Sequence, residues 1–589
     1  MVNNMKKLFK ESININYKTS RGLLITKVIF MLIIAIVPTA SAYVSKILLN
    51  KLVELFGSNL TIFETIVFKV FLIYICLQLF LLISKKILDY FTMLHDAKVN
   101  KKIDEMIQKK VSTLSLQQYE DTLVYDQIQN VRSEAGVLKS YFWLMIGMAQ
   151  VIIQFVISVL AFKDINYVIP LIIILSVLPV FIVENIIQRK LHNWELSQIR
   201  VKRRMNYNHN VITNKEFYYD WKINNKEEFI FDKYKKEWYK YFIEKAKTYK
   251  KSTIILTIVS LIPNITYLVI AMYVIAQILI GKLTVGDFSF YLSIASQLIA
   301  AIIGLVNNIN SFSVSKIKYQ NVENFMNLMP NICNNGIIPI DNIATIEFKN
   351  VSFNYPGTLN EVIKDVNFTI NKGEKVAIVG INGSGKTTLI KLLLHFYDLN
   401  SGNILINSNN IVDIDHLSYF KDISVIFQNQ PIYQFSIKEN LRYDETFDIN
   451  EVNEIFASTS CFDYILNTEK KLDSNIGKEY YEDGIIFSKG EMQKISVLKL
   501  LLKKSSLKII DEANSNLDIA EEKYLFDKLL NSQDTVIIVS HKLYNMYKMD
   551  KVIFINNSKV YVGSHKELLK NESYKNIYES YAERYDNNN

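Results

Sequence analysis

Six long apolar segments place the strongest constraint on what this chain can fold into. Each reaches or exceeds the ~20 residues that an α-helix needs to cross a hydrocarbon core of ~30 Å, and none carries a polar face. The mean hydropathy of +0.11 is positive over all 589 residues, as several membrane spans require. The sequence therefore predicts a polytopic α-helical membrane domain with six transmembrane helices. The segments are residues 23–49, 62–82, 142–162, 167–187, 254–280 and 288–309.

The connections between these segments alternate between short links and long charged loops. The long loops are 85–139 and 189–251, and the second begins with a cluster of Arg and Lys. Because positive charge is retained on the cytoplasmic side, we expect both termini and both long loops in the cytoplasm. We attribute the net charge of +9 to such loops rather than to nucleic-acid binding. The loops have helical spacing of apolar residues, which predicts cross-helices at 116–131 and 214–223.

Residues 380–388 read Gly-Ile-Asn-Gly-Ser-Gly-Lys-Thr-Thr and fit the phosphate-binding pattern GxxxxGK[ST] without a substitution. A β-prone run precedes them and a helix-prone run follows, which is the context that phosphate binding requires. The glycines let backbone N–H groups curl around phosphate oxygens at a helix N-terminus. Lys386 is expected to reach the outer phosphates and Thr387 to ligate Mg²⁺. The predicted nucleotide-binding residues are Tyr355, Gly380, Asn382, Gly383, Ser384, Gly385, Lys386, Thr387 and Thr388.

A pair of acidic residues follows a second β-prone run, at 507–510. Asp511 ends this strand beside the phosphate loop, where a carboxylate is placed to hold Mg²⁺ through water. The adjacent Glu512 is then placed to polarise the attacking water as a general base. The sequence therefore predicts a site for hydrolysis of a nucleoside triphosphate.

Three further residues are assigned to the same site. Gln428 ends a β-prone run and is expected to contact Mg²⁺ or water. His541 ends another strand; a lone histidine is more often structural, but this position near a γ-phosphate favours catalysis. Tyr355 precedes a Pro-Gly turn and offers an aromatic face to a nucleobase. The predicted catalytic residues are Glu512, His541 and Gln428, and the predicted Mg²⁺ ligands are Thr387, Gln428 and Asp511.

A change of periodicity at Thr345, from helical to alternating, marks the start of an α/β P-loop ATPase domain. The polar stretch from Tyr574 onwards is expected to fray. The predicted organisation is a cytoplasmic segment (1–21), a six-helix membrane domain (22–316) with long loops 85–139 and 189–251, a linker (317–344), the nucleotide-binding domain (345–575) and a polar tail (576–589).

Together these elements resemble an ATP-binding cassette (ABC) exporter of the half-transporter kind, over essentially the whole chain. The likeness rests on 380–388, Gln428, 509–512, the loop 515–518, His541, and 283–287 before the last span. The resemblance implies a type-1 ABC exporter fold in a lipid bilayer, with ATP and Mg²⁺ as cofactors and Asp518 in the D-loop. It also implies a second half-transporter as partner; we favour a homodimer, and a heterodimer is the alternative.

Within that family, the likeness is greatest to bacterial exporters of ribosomally made, modified peptides of the lantibiotic type. It rests on Leu-Ser-Leu-Gln-Gln-Tyr-Glu at 114–120 and Ile-Ser-Val-Ile-Phe-Gln at 423–428. The resemblance implies a peptide substrate, peptide-modifying enzymes as partners, and the bacterial cytoplasmic membrane as location. We expect no leading peptidase domain. A multidrug or lipid exporter of the same architecture is the main alternative; a soluble ABC ATPase conflicts with the six spans, and a peptide sensor that moves nothing remains open.

One motif departs from the family. Where ABC proteins carry Leu-Ser-Gly-Gly-Gln, this chain has Phe487-Ser488-Lys489-Gly490-Glu491. The resemblance implies that Ser488, Lys489, Gly490 and Glu491 face the ATP held by the partner subunit. Lys489 replaces a glycine, and we expect a cost of about 1 kcal/mol if its backbone needs a positive φ. Its cation would instead attract phosphate, and the sequence does not decide between these two effects.

Few polar residues lie in the spans. Gln150 and Gln154 lie one helical turn apart in the third, and Gln297 lies in the sixth. Such groups either line a substrate cavity or join helices by hydrogen bonds, and the sequence favours neither.

Overall fold

The computed structural model describes residues 2–55, 66–329, 336–358, 360–428, 430–441, 449–512, 518–539 and 543–586. The chain divides into two compact units. The first consists of Met1–Ser112 and Asp126–Leu328, and the second of Thr113–Tyr125 and Met329–Asn589. Part of the first long loop therefore belongs to the second unit.

The helices before the first strand include the candidate membrane spans. In the described residues, six helical segments are long and apolar enough to cross a membrane, which agrees with the sequence prediction. The helices are α1 (Val2–Leu55), α2 (Ile66–Val111), α3 (Leu116–Glu120), α4 (Thr122–Glu134), α5 (Val137–Leu160), α6 (Val168–Ser197), α7 (Ile199–Thr213), α8 (Lys215–Ile223), α9 (Glu227–Leu279) and α10 (Val285–Met326).

Helix α1 is broken where the polar N-terminal segment meets the first apolar span. Ser20 has the non-helical angles φ −159° and ψ 70°. Before the break, the Ser12 hydroxyl donates to the Leu138 carbonyl at 2.6 Å, and the Asn16 amide donates within its own helix to the Ser12 carbonyl at 2.7 Å. The segment before the break is thus hydrogen-bonded to the start of α5.

Of the two predicted cross-helices, one is a single helix in the structure and the other is divided into two. The predicted helix at 116–131 is two helices, because Asp121 adopts an extended backbone (φ −72°, ψ 120°) and ends α3. The Asp121 carboxylate then accepts from the Leu123 N–H at 2.7 Å as α4 begins. The helix predicted at 214–223 is α8, which Asn214 caps. Helix α10 continues to Met326, beyond the expected membrane-domain boundary at 316.

The second unit holds two sheets. One is antiparallel with the order β2-β1-β4-β5, and the other has the order β10-β9-β3-β8-β7-β6 and is parallel except for β10. The strands are β1 (Thr345–Phe353), β2 (Ile363–Asn371), β3 (Lys375–Gly380), β4 (Ser401–Ile406), β5 (Asn409–Asn410), β6 (Ile423–Ile426), β7 (Leu507–Asp511), β8 (Thr535–Val539), β9 (Lys551–Asn556) and β10 (Lys559–Gly563). The helices are α11 (Lys386–Leu393), α12 (His416–Lys421), α13 (Ile437–Leu441), α14 (Ile449–Ser458), α15 (Asp463–Leu466), α16 (Lys489–Leu502), α17 (Ile519–Leu530), α18 (His565–Leu568) and α19 (Glu572–Asp586).

The parallel sheet forms the core that positions the site. Strands β7 and β8 are buried along their whole length, as expected of strands covered on both faces. Ala377 and Val379 of β3 face one apolar cluster, and Val376 and Ile378 face another. Because neighbouring parallel strands end at one edge, this packing brings the residues after β3 and β7 together.

The C-terminal stretch is helical up to Asp586, so the expectation that it frays from Tyr574 is wrong for these residues. Tyr574 is fully buried, and its hydroxyl lies 2.8 Å from His565 Nδ1. This buried tyrosine anchors α19 to α18. The helix crosses the expected boundary between residues 575 and 576.

Candidate functional site

The phosphate loop has a backbone that favours glycine at Gly380, Gly383 (φ +78°) and Gly385. Gly385, at the start of α11, has φ +103°, and a Cβ there would meet Val362 and Ile363 at 3.0 Å. A Cβ on Gly380 would meet the Ile555 carbonyl oxygen at 2.4 Å. The loop therefore curls closely between β3 and α11, where the Ser384 N–H donates to the Ile381 carbonyl at 3.2 Å.

Lys386, Glu512 and Gln428 meet at the carboxyl edge of the parallel sheet. The Lys386 ammonium donates to the carbonyls of Gly380 and Ile381 at 3.0 and 3.2 Å, and lies 3.6 Å from Glu512 Oε1. Gln428 Nε2 donates to the other oxygen, Glu512 Oε2, at 2.9 Å. Desolvation lowers the pKa of Lys386, and the neighbouring Glu512 opposes this shift. The structure thus brings together three of the predicted site residues.

Glu512 has a left-handed backbone with φ +52°. This conformation costs a non-glycine residue roughly 1–2 kcal/mol, and is found where surrounding structure holds it. Here the Glu512 N–H donates to the Val539 carbonyl at 3.1 Å, which fixes the turn after β7. Asp511, the last residue of β7, is only 1% exposed. The two carboxylates therefore occupy different environments on consecutive residues.

Tyr355 is tied to the phosphate loop through Thr388. Their hydroxyl oxygens are 2.9 Å apart, and Thr388 is buried in the first turn of α11. Thr387 is half-buried, whereas Asn382 is exposed and Ser384 is buried. The hydroxyl of Thr388 is thus directed to Tyr355, a contact that the sequence did not predict.

The departing motif forms a regular helix start. Ser488 caps α16, where its hydroxyl accepts from the Glu491 N–H at 3.2 Å and its own N–H donates to the Glu491 carboxylate at 2.8 Å. Lys489 is the first residue of α16 and does not have a positive φ. The strain expected at Lys489 is therefore absent. Glu491, where the family has glutamine, supplies the second half of this capping box.

Several predicted residues stay apart from the loop or lie outside the described residues. In the part of the chain that the structure describes, no hydrogen bond or ion pair joins 488–491 to 380–388. The Asp518 N–H donates to Glu521 Oε2 at 3.2 Å at the start of α17. His541 and 515–517 lie outside the described residues.

The three glutamines of the spans differ. The Thr39 hydroxyl donates to Gln297 Oε1 at 3.0 Å, and Gln297 Nε2 donates to the Pro38 carbonyl at 3.5 Å, so Gln297 joins α10 to α1. Gln150 and Gln154 are half-buried on α5. For Gln297 the contacts are those of the interhelical alternative.

Sequence reasoning missed an ion pair that joins α16 to α17. Lys494 Nζ lies 2.5 Å from Glu521 Oε1, and both side chains are less than one-fifth exposed. Through Glu521, the helix after Ser488 is linked to the backbone of Asp518. The two charged residues are 27 positions apart in the chain, so no local sequence pattern predicts that they form an ion pair.

The fold and the site together define a class of protein. Residues 363–515 match the model of the ABC transporter family. The chain resembles the structure of a bacterial Atm1-family ABC exporter with ATP bound, with a TM-score of 0.76, 19% identity, and coverage of 95% of this chain and 99% of that one. Residues 363–515 thus form an ABC transporter domain, and with the six candidate membrane spans before it the chain is an ATP-hydrolysing exporter.

Three relatives of known sequence are named for transport or export. The subtilin transport ATP-binding protein SpaT of Bacillus subtilis is 28% identical over 580 residues, which is 96% of this chain and 92% of that protein. The multidrug export ATP-binding/permease protein YgaD of Bacillus subtilis strain 168 is 30% identical over 343 residues, 56% of this chain and 57% of that protein. A similarly named Staphylococcus aureus protein (strain NCTC 8325) is 34% identical over 238 residues, 40% of each chain.

Proposed function

We propose that this chain exports a ribosomally made, modified antimicrobial peptide across the bacterial cytoplasmic membrane. The observation that carries the proposal is the likeness to the subtilin transport protein, which spans 96% of the chain and therefore includes the membrane domain. The two multidrug export relatives named above match 56% and 40% of the chain. Nucleotide domains carry no substrate information, so a match that includes the membrane helices is the more informative one.

The experiment is ATP-dependent uptake into inside-out vesicles that contain the purified chain. We expect accumulation of a lantibiotic such as subtilin, and no accumulation by Glu512→Gln vesicles. Accumulation of lipophilic dyes without peptide would favour the multidrug alternative, while ATPase stimulation by peptide without accumulation would favour a sensor.

The nucleotide site is proposed to work with Mg²⁺. The donor set fits this ion: the carboxylate of Asp511 ends β7 at 1% exposure, and Thr387 and Gln428 add oxygen ligands, which Mg²⁺ prefers. When bound, Mg²⁺ would neutralise charge on the phosphate oxygens. Lys386 holds the outer phosphates, the ring of Tyr355 stacks on the base, and Glu512 accepts the proton of the attacking water. His541, which lies outside the described residues, is proposed as a further catalytic residue.

The acting form is proposed to be a homodimer, in which Ser488, Lys489, Gly490 and Glu491 of one subunit face the ATP of the other. Closure of the two nucleotide domains on ATP would be transmitted to the membrane helices, and hydrolysis would reset them. The chain purified alone is expected to hydrolyse Mg-ATP. Absence of turnover by the correctly folded chain would defeat the homodimer and favour a heterodimer with a second half-transporter.

Lys489 is proposed to act through its charge, because its helical backbone carries no strain. Lys489→Glu is expected to lower the rate of ATP hydrolysis about tenfold, since reversing a charge near a phosphate costs on the order of 1–2 kcal/mol at the protein surface. The steady-state ATPase rate measures this effect, and Lys478→Glu, another exposed lysine of the domain, is the matched control. Equal rates for the two variants would show that the Lys489 cation has no role.

A further inference from the structure

Four residues form a connected cluster behind the phosphate loop, which we call the Tyr355 cluster: Tyr355, Lys391, Tyr397 and Glu120. The rings of Tyr355 and Tyr397 meet edge to face, with centroids 5.4 Å apart and planes at 88°. The Tyr355 hydroxyl lies 2.9 Å from Thr388 Oγ1. The ring of Tyr355 is therefore held from two sides, by α11 and by Tyr397.

Lys391 links the two rings to a carboxylate. It lies on α11, five residues after Lys386, and its ammonium is 5.9 Å from the Tyr355 ring centroid and 5.6 Å from that of Tyr397. The same ammonium is 3.5 Å from Glu120 Oε1. A cation at these distances from two ring faces is attracted to both, so its position depends on the balance with Glu120.

Glu120 also fixes the second ring. The Tyr397 hydroxyl donates a hydrogen bond to Glu120 Oε2. Tyr397 is 1% exposed, and burial together with this hydrogen bond raises the pKa of its hydroxyl. Because a buried hydroxyl is costly to leave without an acceptor, the carboxylate of Glu120 determines the orientation of the Tyr397 ring.

The segment that carries Glu120 belongs to the second unit although it lies between membrane helices in sequence. Leu116 packs against an apolar cluster of this unit, and Gln118 Nε2 donates to the Met329 carbonyl at 2.7 Å. Thr113–Tyr125 begins two residues after the end of α2 and includes the first turn of α4.

We propose that Glu120, with Lys391 and Tyr397, positions the base-stacking face of Tyr355, so that a residue of the first long loop sets the affinity for the base of the nucleotide. This inference rests on the proposed role of Tyr355. Glu120, Lys391 and Tyr397 are positioning residues, because none of them is assigned to the nucleotide itself. By reciprocity, a base stacked on Tyr355 restrains Thr113–Tyr125, which makes this segment sensitive to an occupied site.

The test compares a ligand that has a base with one that lacks it. Full-length protein carrying Glu512→Gln, to prevent turnover, is titrated calorimetrically with Mg-ATP and with Mg-triphosphate. Glu120→Ala is expected to weaken ATP binding about threefold to tenfold, the range that an edge-to-face aromatic contact supports, and to leave triphosphate binding unchanged. In a Tyr355→Ala background the same substitution is expected to have no further effect on ATP. Asp104→Ala removes an exposed acid elsewhere in the loop and is the control.

Other results would overturn the inference. Unchanged ATP affinity in Glu120→Ala would show that the Tyr355 cluster does not position Tyr355 for the base. Equal losses of affinity for ATP and triphosphate would indicate general damage to the domain. If Glu120→Ala does not fold, Tyr397→Phe and Glu120→Gln carry the same comparison, since they keep the ring and the side-chain shape. Tyr355→Ala separates the two proposals: if it leaves ATP affinity unchanged, the role of Tyr355 fails, whereas if it weakens ATP binding and Glu120→Ala does not, only the present inference fails.

Discussion

Glu512→Gln is expected to lower the rate of ATP hydrolysis about 10²- to 10³-fold and to leave ATP binding intact. General-base catalysis contributes a factor of this order, and an amide cannot accept the proton of the attacking water. The substitution keeps the shape of the side chain. In the native protein Gln428 Nε2 donates to Glu512 Oε2 at 2.9 Å, and the amide oxygen of glutamine can accept the same hydrogen bond. The ion pair with Lys386, at 3.6 Å, is lost. Steady-state ATPase rates and equilibrium ATP binding measure the two effects separately.

The control is Glu454→Gln, which changes an exposed acid of the same domain in the same way. It is expected to hydrolyse ATP at the native rate. Turnover of Glu512→Gln at the native rate would show that the general base is another group. Because nucleotide remains bound but is not hydrolysed, Glu512→Gln is also expected to accumulate with the two nucleotide domains of the proposed homodimer closed on Mg-ATP.

The phosphate loop and the strands around it were predictable from sequence because their determinants are local. A Cβ at position 380 or 385 would collide with neighbouring atoms, so the presence of glycine there already indicates the backbone conformation. The buried strands β7 and β8 are short runs with central Ile pairs, and the parallel sheet places Glu512, which follows Asp511, beside Lys386 of the loop. The meeting of Glu512 with Lys386 therefore followed from the topology of a parallel sheet.

Contacts between distant residues were not predictable in this way. Glu120 and Tyr397 are 277 residues apart, and only the folding of Thr113–Tyr125 into the second unit brings them together. The break between α3 and α4 depends on Asp121, whose side chain begins the next helix instead of continuing the first. At Lys489 the family pattern suggested strain, but the capping box of Ser488 and Glu491 gives this position an ordinary helical backbone. In each case tertiary or capping contacts outweigh the local pattern.

Lys386→Ala is expected to abolish nearly all ATP hydrolysis, by at least about 100-fold, and to weaken ATP binding. Removing one donor that stabilises charge in the transition state costs about 10²–10³ in rate. Lys386 is 5% exposed, and its ammonium is held by two loop carbonyls and Glu512 Oε1 at 3.0 to 3.6 Å. In its proposed role, this desolvated cation would meet the outer phosphates where its interaction is stronger than in water.

The affinity for Mg-ATP distinguishes Lys386→Ala from Glu512→Gln. Loss of Lys386 acts on the bound nucleotide before hydrolysis, so the dissociation constant for Mg-ATP should rise together with the fall in rate, whereas Glu512→Gln should change the rate alone. Lys372→Ala, which removes an exposed lysine of the same domain, is expected to change neither quantity. Native ATP affinity and native turnover in a folded Lys386→Ala protein would mean that the phosphates lie elsewhere. An unchanged melting temperature without nucleotide, with a smaller stabilisation by Mg-ATP, would place the defect in ligand binding rather than in folding.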